Sequence, residues 1–376
     1  MADIRLGLVG AAGSIAGLHL GYYDKINGLK LAAVADGQTE KLKPIAQEHD
    51  AALFDDGHDM IASGQIDALF IATPHDSHPV YAAQAFDAGI HVLCEKPVAV
   101  TALDAEKLND AYHTAQKKHS GLLFAGMFNQ RNRTDWRAVK RLCTDGSIGE
   151  LVRVSWTITD WFRSQNYYNS GGWRGSWAGE GGGVLINQCP HNLDLLQWFV
   201  GMPSRLTATV GLGKHHDIEV EDDVTALLEF PNGATGTFCT STGQTPGVNR
   251  LEIVGDHGTL IVENETLVYH RNHEPVSDFT QSSNDGFAHA PADKITLQPG
   301  GENLEHEAIT RNFIETLLKK GAQNDLIAPG TEMIHSLELG NAMLLAGLTR
   351  TWVNLPTDRD AFVAKLEELK AHSASR

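Results

Sequence analysis

Short apolar runs alternate with amphipathic stretches over the first third of the chain. Ile4 to Val9, Leu29 to Ala35, Asp67 to Thr73, Val92 to Cys94 and Leu122 to Phe128 are predominantly apolar segments of strand length. Their lack of alternation predicts strands covered on both faces. Between them, Ile15, Leu18, Tyr22 and Ile26 keep helical spacing. Tyr81 to Ala88 predicts a further helix, and Thr101 to Lys118 another, with Thr101 and Asp104 placed as a capping pair. Lys41 to Glu48 also reads as helical, with a kink or a late start expected at Pro44. Strand and helix alternating in this order predict a doubly wound parallel sheet with right-handed crossovers over residues 1–125.

After Gly126 the pattern changes. Asp135 to Cys143 predicts a helix and Val152 to Asp160 a strand. Arg205 to Leu212, Val224 to Phe230, Ala234 to Thr240, Arg250 to Val254 and Thr259 to Val262 then read as strands separated by Pro, Asn, Asp and Gly turns. A large, mostly antiparallel open sheet follows, in an α+β domain over residues 126–353. Leu304 to Leu318 and Met333 to Trp352 are amphipathic helices, and residues 354–376 form a terminal helix and tail. The polar segment Pro275 to Gly301 keeps no period and is expected to be a surface excursion. His215-His216-Asp217 and Glu219 to Asp223 are expected to form a solvated turn and strand start.

A length of 376 residues with 42% apolar content suits two buried cores. Thirty Lys plus Arg against 47 Asp plus Glu give a net charge of −17, which argues against nucleic acid or an anionic membrane as partner. Cys94, Cys143, Cys189 and Cys239 lie far apart with no CxxC pair, so neither a disulfide framework nor a zinc site is signalled. Reduced thiols in the cytoplasm fit this pattern. No signal peptide and no membrane-spanning run is legible.

Candidate chemistry gathers where the first five strands end. The run Ile90 to Val98, IHVLCEKPV, closes on Pro97, which cannot extend a ladder, so Lys96 is delivered to a carboxyl-terminal strand edge where ligands bind in open parallel sheets. A lysine there can polarise a substrate oxygen. GAAGSIAG after the first strand presents helix N–H groups to a pyrophosphate, although Ala12 and Ile15 stand where a strict GxGxxG has glycines; an ordinary tight turn would use the same residues. Asp36 ends the second strand and can accept from both ribose hydroxyls, which favours NAD over NADP. In the second domain Arg163, Tyr168, Trp173 and Arg174 belong to an aromatic, glycine-rich stretch suited to carbohydrate, or else to a packed satellite core. Asn129, Gln130 and Arg131 are expected to look into the cleft. Asn187, His191 and Asp194 fall at i, i+4 and i+7, one face of a predicted helix that Leu185, Leu193, Leu196 and Phe199 anchor. A metal site there lacks a further ligand of convincing spacing, so no metal is expected.

Four stretches, GAAGSIA, ATPHDSH at Ala72 to His78, AGIHVLCEKPVA at Ala88 to Ala99 and GGGVLINQCPHNLDLLQW at Gly181 to Trp198, resemble the glucose-fructose oxidoreductase, inositol dehydrogenase and MocA family. The resemblance implies a Rossmann domain and NAD lined by Gly10, Ala12, Gly13, Ser14, Ile15, Asp36, Thr73, Pro74, His75, His78, Glu95, Lys96 and Asn129. It implies Lys96 and His191 at the substrate, with Asn187 where the family often has aspartate, and a homo-oligomer, dimer or tetramer. The expected activity is oxidation of a ring hydroxyl of a sugar, glycoside or polyol, nearest the 3-hydroxyl of a glucoside. An inositol dehydrogenase, an anhydrosugar or ketosugar reductase, a glycosidase that oxidises its substrate transiently, and a non-catalytic NAD-binding regulator stay open as alternatives.

Overall fold

The computed structural model describes residues 2–373, which form two compact units. The first runs to Asn132 and takes back Asn303–Leu337; the second holds Arg133–Glu302 and the chain from Glu338 onward.

In the first unit six strands pair in parallel in the order Ala52–Phe54, Leu29–Ala35, Ile4–Val9, Ala68–Ile71, His91–Cys94, Phe124–Gly126. The order reverses at Ile4–Val9, so the crevice beyond its carboxyl end lies at a topological switch point. Leu6, Leu8, Leu69, Phe70, Val92 and Leu93 have no exposed surface, as expected of strands covered on both faces. Two expectations are corrected. The helix Thr39–His49 starts before Pro44, not late at it, and Pro44 is exposed, so solvent can serve the Glu40 carbonyl that loses its partner. The first helix, Ser14–Tyr23, buries Ala16, His19, Tyr22 and Tyr23, whereas Leu18 is 46% exposed, so its inner face is turned from the expected apolar stripe.

The returning segment departs from a contiguous domain division at 125. Helix Glu305–Leu318 buries Ile309, Phe313 and Ile314, and Pro329 bridges Ala125 beside the edge strand Phe124–Gly126. An open strand edge is a hazard for unwanted pairing, and this segment covers it.

The second unit is built on nine strands in the order Ala292–Leu297, Thr266–Asn272, Gly258–Glu263, Asn249–Gly255, Leu151–Ile158, Thr235–Ser241, Glu221–Glu229, Arg205–Leu212, Val353–Asn354. Among the described residues of this sheet only Leu151–Ile158 and Thr235–Ser241 pair in parallel. One face is packed by helices Thr134–Thr144 and Pro190–Val200 through Trp136, Trp156 and Phe199, whose rings lie 5.6 to 6.2 Å apart. Val152 and Leu227 are about half exposed. The segment 275–301, expected to be irregular, contains helix Val276–Ser282 and the edge strand Ala292–Leu297. That strand pairs on one side only and fully buries none of its side chains, so it needs no apolar period.

Candidate functional site

Within the first unit the parallel strands bring Gly10, Asp36, Thr73, Lys96 and Asn129 to one edge of the sheet, because each follows the carboxyl end of its strand. Gly10 has φ +81°, and a side chain there would press against the Ala72 carbonyl at 2.6 Å. This turn lets the chain enter helix Ser14–Tyr23, whose start has no side-chain cap and no acid in its first turn. Gly13 and Ser14 are exposed there. Such a start accepts a pyrophosphate. The Asp36 carboxylate accepts from Ala12 N at 3.2 Å and Gln38 N at 2.9 Å, which fixes it beside the glycine turn. Thr73 Oγ1 accepts from Ser77 at 2.6 Å, between Pro74 and the short turn His75–Ser77. These residues fit an adenine dinucleotide.

The Lys96 corner is held from both sides. His78 contacts the Thr73 carbonyl through Nε2 and the Pro97 carbonyl through Nδ1, both at 2.7 Å, tying two strand ends together. Burial holds its pKa below the usual histidine range against the pull of both carbonyls. Glu95 is buried and turns inward, meeting His19 Nε2 at 2.8 Å and the Lys96 N–H at 3.1 Å. Burial alone would raise its pKa, but the bond to His19 and the charges of His19, Lys96 and His306 lower it to about 2. His19 continues to the Tyr22 hydroxyl, which lies 3.1 Å from Thr310 Oγ1. Lys96 is half-buried beside this carboxylate. Asn129 is buried and donates to Glu305 at 3.1 Å.

In the second unit the expected helix through Asn187 is corrected. Residues 181–189 are turns, and the helix begins at Pro190, whose ring supplies the first helical φ and needs no N–H partner. Asn187 therefore shares no helical face with His191 and Asp194. His191 is 9% exposed and Asp194 1%, the latter accepting from Gln197 at 3.2 Å. Arg174 lies 4.4 Å from the ring centres of both Tyr167 and Trp173 and donates to the Tyr167 hydroxyl at 2.5 Å. Trp173 is 37% exposed. Arg163 donates to the Phe162 carbonyl at 2.9 Å.

Like Asp194, two further expected substrate contacts are packed inside their own units. Tyr168 is 3% exposed, with its hydroxyl 2.9 Å from Thr242, so its neighbour Tyr167 carries the polar cluster instead. Arg131, 2% exposed, is bound to Glu332 at 2.6 Å within the first unit. The turn at His215 and Asp217 is exposed and a strand starts at Glu221, as expected, but the acids that open that strand are not solvated. Asp222 is wholly buried and accepts from the N–H groups of Lys214, His215 and His216, at 2.8 to 3.1 Å. Glu221, also wholly buried, accepts from Gly183 and Leu185 N–H at 2.9 and 3.0 Å. Among the described residues no cluster of three or more His, Cys, Asp or Glu is placed to hold a metal ion.

Residues 4–124 match the oxidoreductase family with an NAD-binding Rossmann fold, and residues 136–261 match the GFO/IDH/MocA C-terminal domain. The D-glucoside 3-dehydrogenase of Escherichia coli K12 is 27% identical over 251 residues, 62% of this chain and 68% of that protein. The inositol 2-dehydrogenase of Rubrobacter xylanophilus is 28% identical over 263 residues, 69% of this chain and 71% of that one. Among solved structures, the WlbA dehydrogenase of Bordetella pertussis in complex with NADH and UDP-GlcNAcA superposes with a TM-score of 0.77 at 28% identity, over 95% of this chain and all of that one.

Proposed function

This chain belongs to the GFO/IDH/MocA oxidoreductases and is an NAD-dependent enzyme, and on that premise we propose that it oxidises a ring hydroxyl of an uncharged sugar, glycoside or polyol, nearest the 3-hydroxyl of a glucoside. The observation that carries the reading is the Lys96 corner. Glu95, His19 and His78 immobilise the backbone around one ammonium group at the carboxyl edge of the sheet.

Bound NAD supplies the hydride acceptor. His191 takes the hydroxyl proton as general base. Lys96 holds and polarises the same oxygen, which favours its alkoxide character as the proton leaves. Asp36 accepts the ribose hydroxyls and repels a 2′-phosphate, so NAD is preferred to NADP. The aromatic faces of Trp173 and Tyr167 suit the C–H side of a sugar ring. The net charge of −17 agrees with an uncharged substrate.

The test is NADH formation by the purified protein with NAD against glucosides, free sugars and inositols. Steady NADH with one of them supports the reading and names the substrate class. Consumption of a glycoside without NADH accumulation would replace it with transient oxidation and bond cleavage.

A further inference from the structure

Two stripes run along the helix Thr134–Thr144 of the second unit. Trp136, Val139 and Leu142 are buried and form the packed one. Thr134, Arg137, Ala138 and Arg141 fall at i, i+3, i+4 and i+7, and together they line a cavity of about 480 Å³. Its other wall is the segment from Leu297 to Gly300, where the chain leaves the edge strand Ala292–Leu297. A side chain built on Gly301 would lie 3.1 Å from Thr134 Cγ2, so this wall closes onto the start of the helix. The cations of the helix are divided between two roles. Arg133 is paired with Asp135 at 2.9 Å, and Lys140 donates to the Trp198 carbonyl. Arg137 and Arg141 are exposed and, among the described residues, have no carboxylate within 4 Å. Asp145 is the acid that feels Arg141, yet it accepts from Ser147 N–H at 3.0 Å, and its bonds from Ser147, ahead of Arg141, hold its pKa low. The lining thus holds two guanidinium groups and no acid, in a chain with 47 Asp plus Glu against 30 Lys plus Arg.

We propose that this groove binds a small phosphomonoester, with the phosphate on Arg137 and Arg141 and the carbon skeleton against Ala138, Leu297 and Pro299. Residues at i and i+4 stand about 5–6 Å apart at Cβ, close enough for two guanidinium forks to share one tetrahedral anion. Two cations are matched by one dianion, which a phosphomonoester approaches near neutral pH and a single carboxylate does not. The cavity has the size of a small-molecule site, so bare phosphate would leave its apolar side chains uncovered. The groove shares no residue with the candidate active site, and the proposal does not depend on the polyol-oxidising reading.

Isothermal titration calorimetry in low-salt, phosphate-free buffer tests the site, with NAD at saturation so that the dinucleotide edge of the first unit is occupied. Phenyl phosphate is the probe, because it is an ester with no ring hydroxyl to oxidise. One equivalent should bind the parent, and inorganic phosphate, which lacks the carbon skeleton, should bind more weakly. Arg137→Gln/Arg141→Gln should weaken both at least about tenfold through loss of the charge-assisted contacts, while its melting temperature without ligand stays at the parent value. Ala138→Leu keeps both charges and narrows the groove, so it should weaken phenyl phosphate more than inorganic phosphate. Arg153→Gln/Arg271→Gln removes two exposed charges elsewhere on the same unit and should leave binding of either anion unchanged. A parent that binds neither anion would overturn the proposal. Parent-like binding in Arg137→Gln/Arg141→Gln, or an equal loss in Arg153→Gln/Arg271→Gln, would do the same.

Discussion

His19 Nε2 lies 2.8 Å from Glu95 Oε1, joining the helix after the glycine turn to the residue that precedes Lys96. Both side chains are buried, at 0% and 7% exposure, so neither can exchange its partner for water. Removing one member of a buried pair leaves the other uncompensated, which costs more than the pair itself contributes. His19→Ala should lower unfolding free energy by roughly 3 kcal/mol, measured by urea denaturation. A change below about 0.5 kcal/mol, the scale of an ordinary surface substitution, would show that Glu95 is held by other means.

Asp36 is expected to govern cofactor choice. Its carboxylate is fixed by Ala12 and Gln38 N–H, and the Gly37-Gln38-Thr39 that follows offers no cation for a 2′-phosphate. Asp36→Ala removes the repulsion together with the ribose acceptor. The ratio of kcat/KM for NADP to that for NAD should rise at least about tenfold, equivalent to about 1.4 kcal/mol. An unchanged ratio would move the discrimination elsewhere on the sheet edge.

Much of this architecture is legible in the amino-acid sequence because its cause is local. Ile4–Val9 and Leu29–Ala35 are apolar from Leu6 and Leu31 onward since both faces are covered there, and their ends carry Gly10 and Asp36 in plain order. Illegible features depend on partners distant in the chain. His19 interrupts the apolar stripe of its helix because its partner, Glu95, is 76 residues away. Asn187 at i with His191 at i+4 mimics a helical pair, yet Pro190 resets the helix start between them. The acids Glu221 and Asp222 look like a solvated strand start, and the N–H groups turned toward them, with the His216 ring 2.9 Å from Asp222, explain their burial. The strand Ala292–Leu297 is hidden for the opposite reason, since an edge strand with no fully buried side chain has no apolar pattern to display.

Lys96 and His191 should separate in kinetics from the groups that bind the dinucleotide. Lys96→Ala and His191→Ala are each expected to lower kcat by roughly 10²- to 10⁴-fold, the range of a lost acid–base or electrostatic contribution. NAD affinity, followed by fluorescence titration, should change little in His191→Ala. Retention of parent-like kcat in either variant would remove that residue from the reacting oxygen.

Glu221 predicts a stability that declines from mildly acidic to mildly basic pH. Burial raises its pKa from 4.5 to about 7, against the N–H bonds from Leu185 and Gly183, with the Glu180 charge adding to the rise. A folded-state pKa above the unfolded value favours the protonated acid in the fold. Its contribution is therefore fully present below about 4.5 and is lost as the pH rises through about 7. Urea denaturation at intervals across this window should show the decline in the parent and a flatter profile in Glu221→Gln, which does not ionise. Equal profiles would mean that the N–H groups hold Glu221 ionised throughout.

Gly183 faces the same carboxylate and makes the sharpest steric prediction. A side chain built on it would come within 2.0 Å of the Glu221 carbonyl oxygen, closer than any real contact. The Gly183 N–H is meanwhile bound to the Glu221 carboxylate and the Val184 N–H to the Glu221 carbonyl, both at 2.9 Å, so the two segments cannot part without breaking both bonds. Gly183→Ala must therefore either break them or displace the strand Glu221–Glu229 at its start. A cost of roughly 3 kcal/mol or more is expected, from overpacking together with lost buried hydrogen bonds. Gly182→Ala is the matched control, because its added carbon would come nearest the Ile186 side chain, at 3.1 Å, and would stay 3.9 Å from the Glu221 carboxylate, an ordinary van der Waals distance. Thermal denaturation of the pair should show a large loss at 183 and a small one at 182. Equal losses would mean that the turn, rather than its fit against Glu221, sets the requirement for glycine.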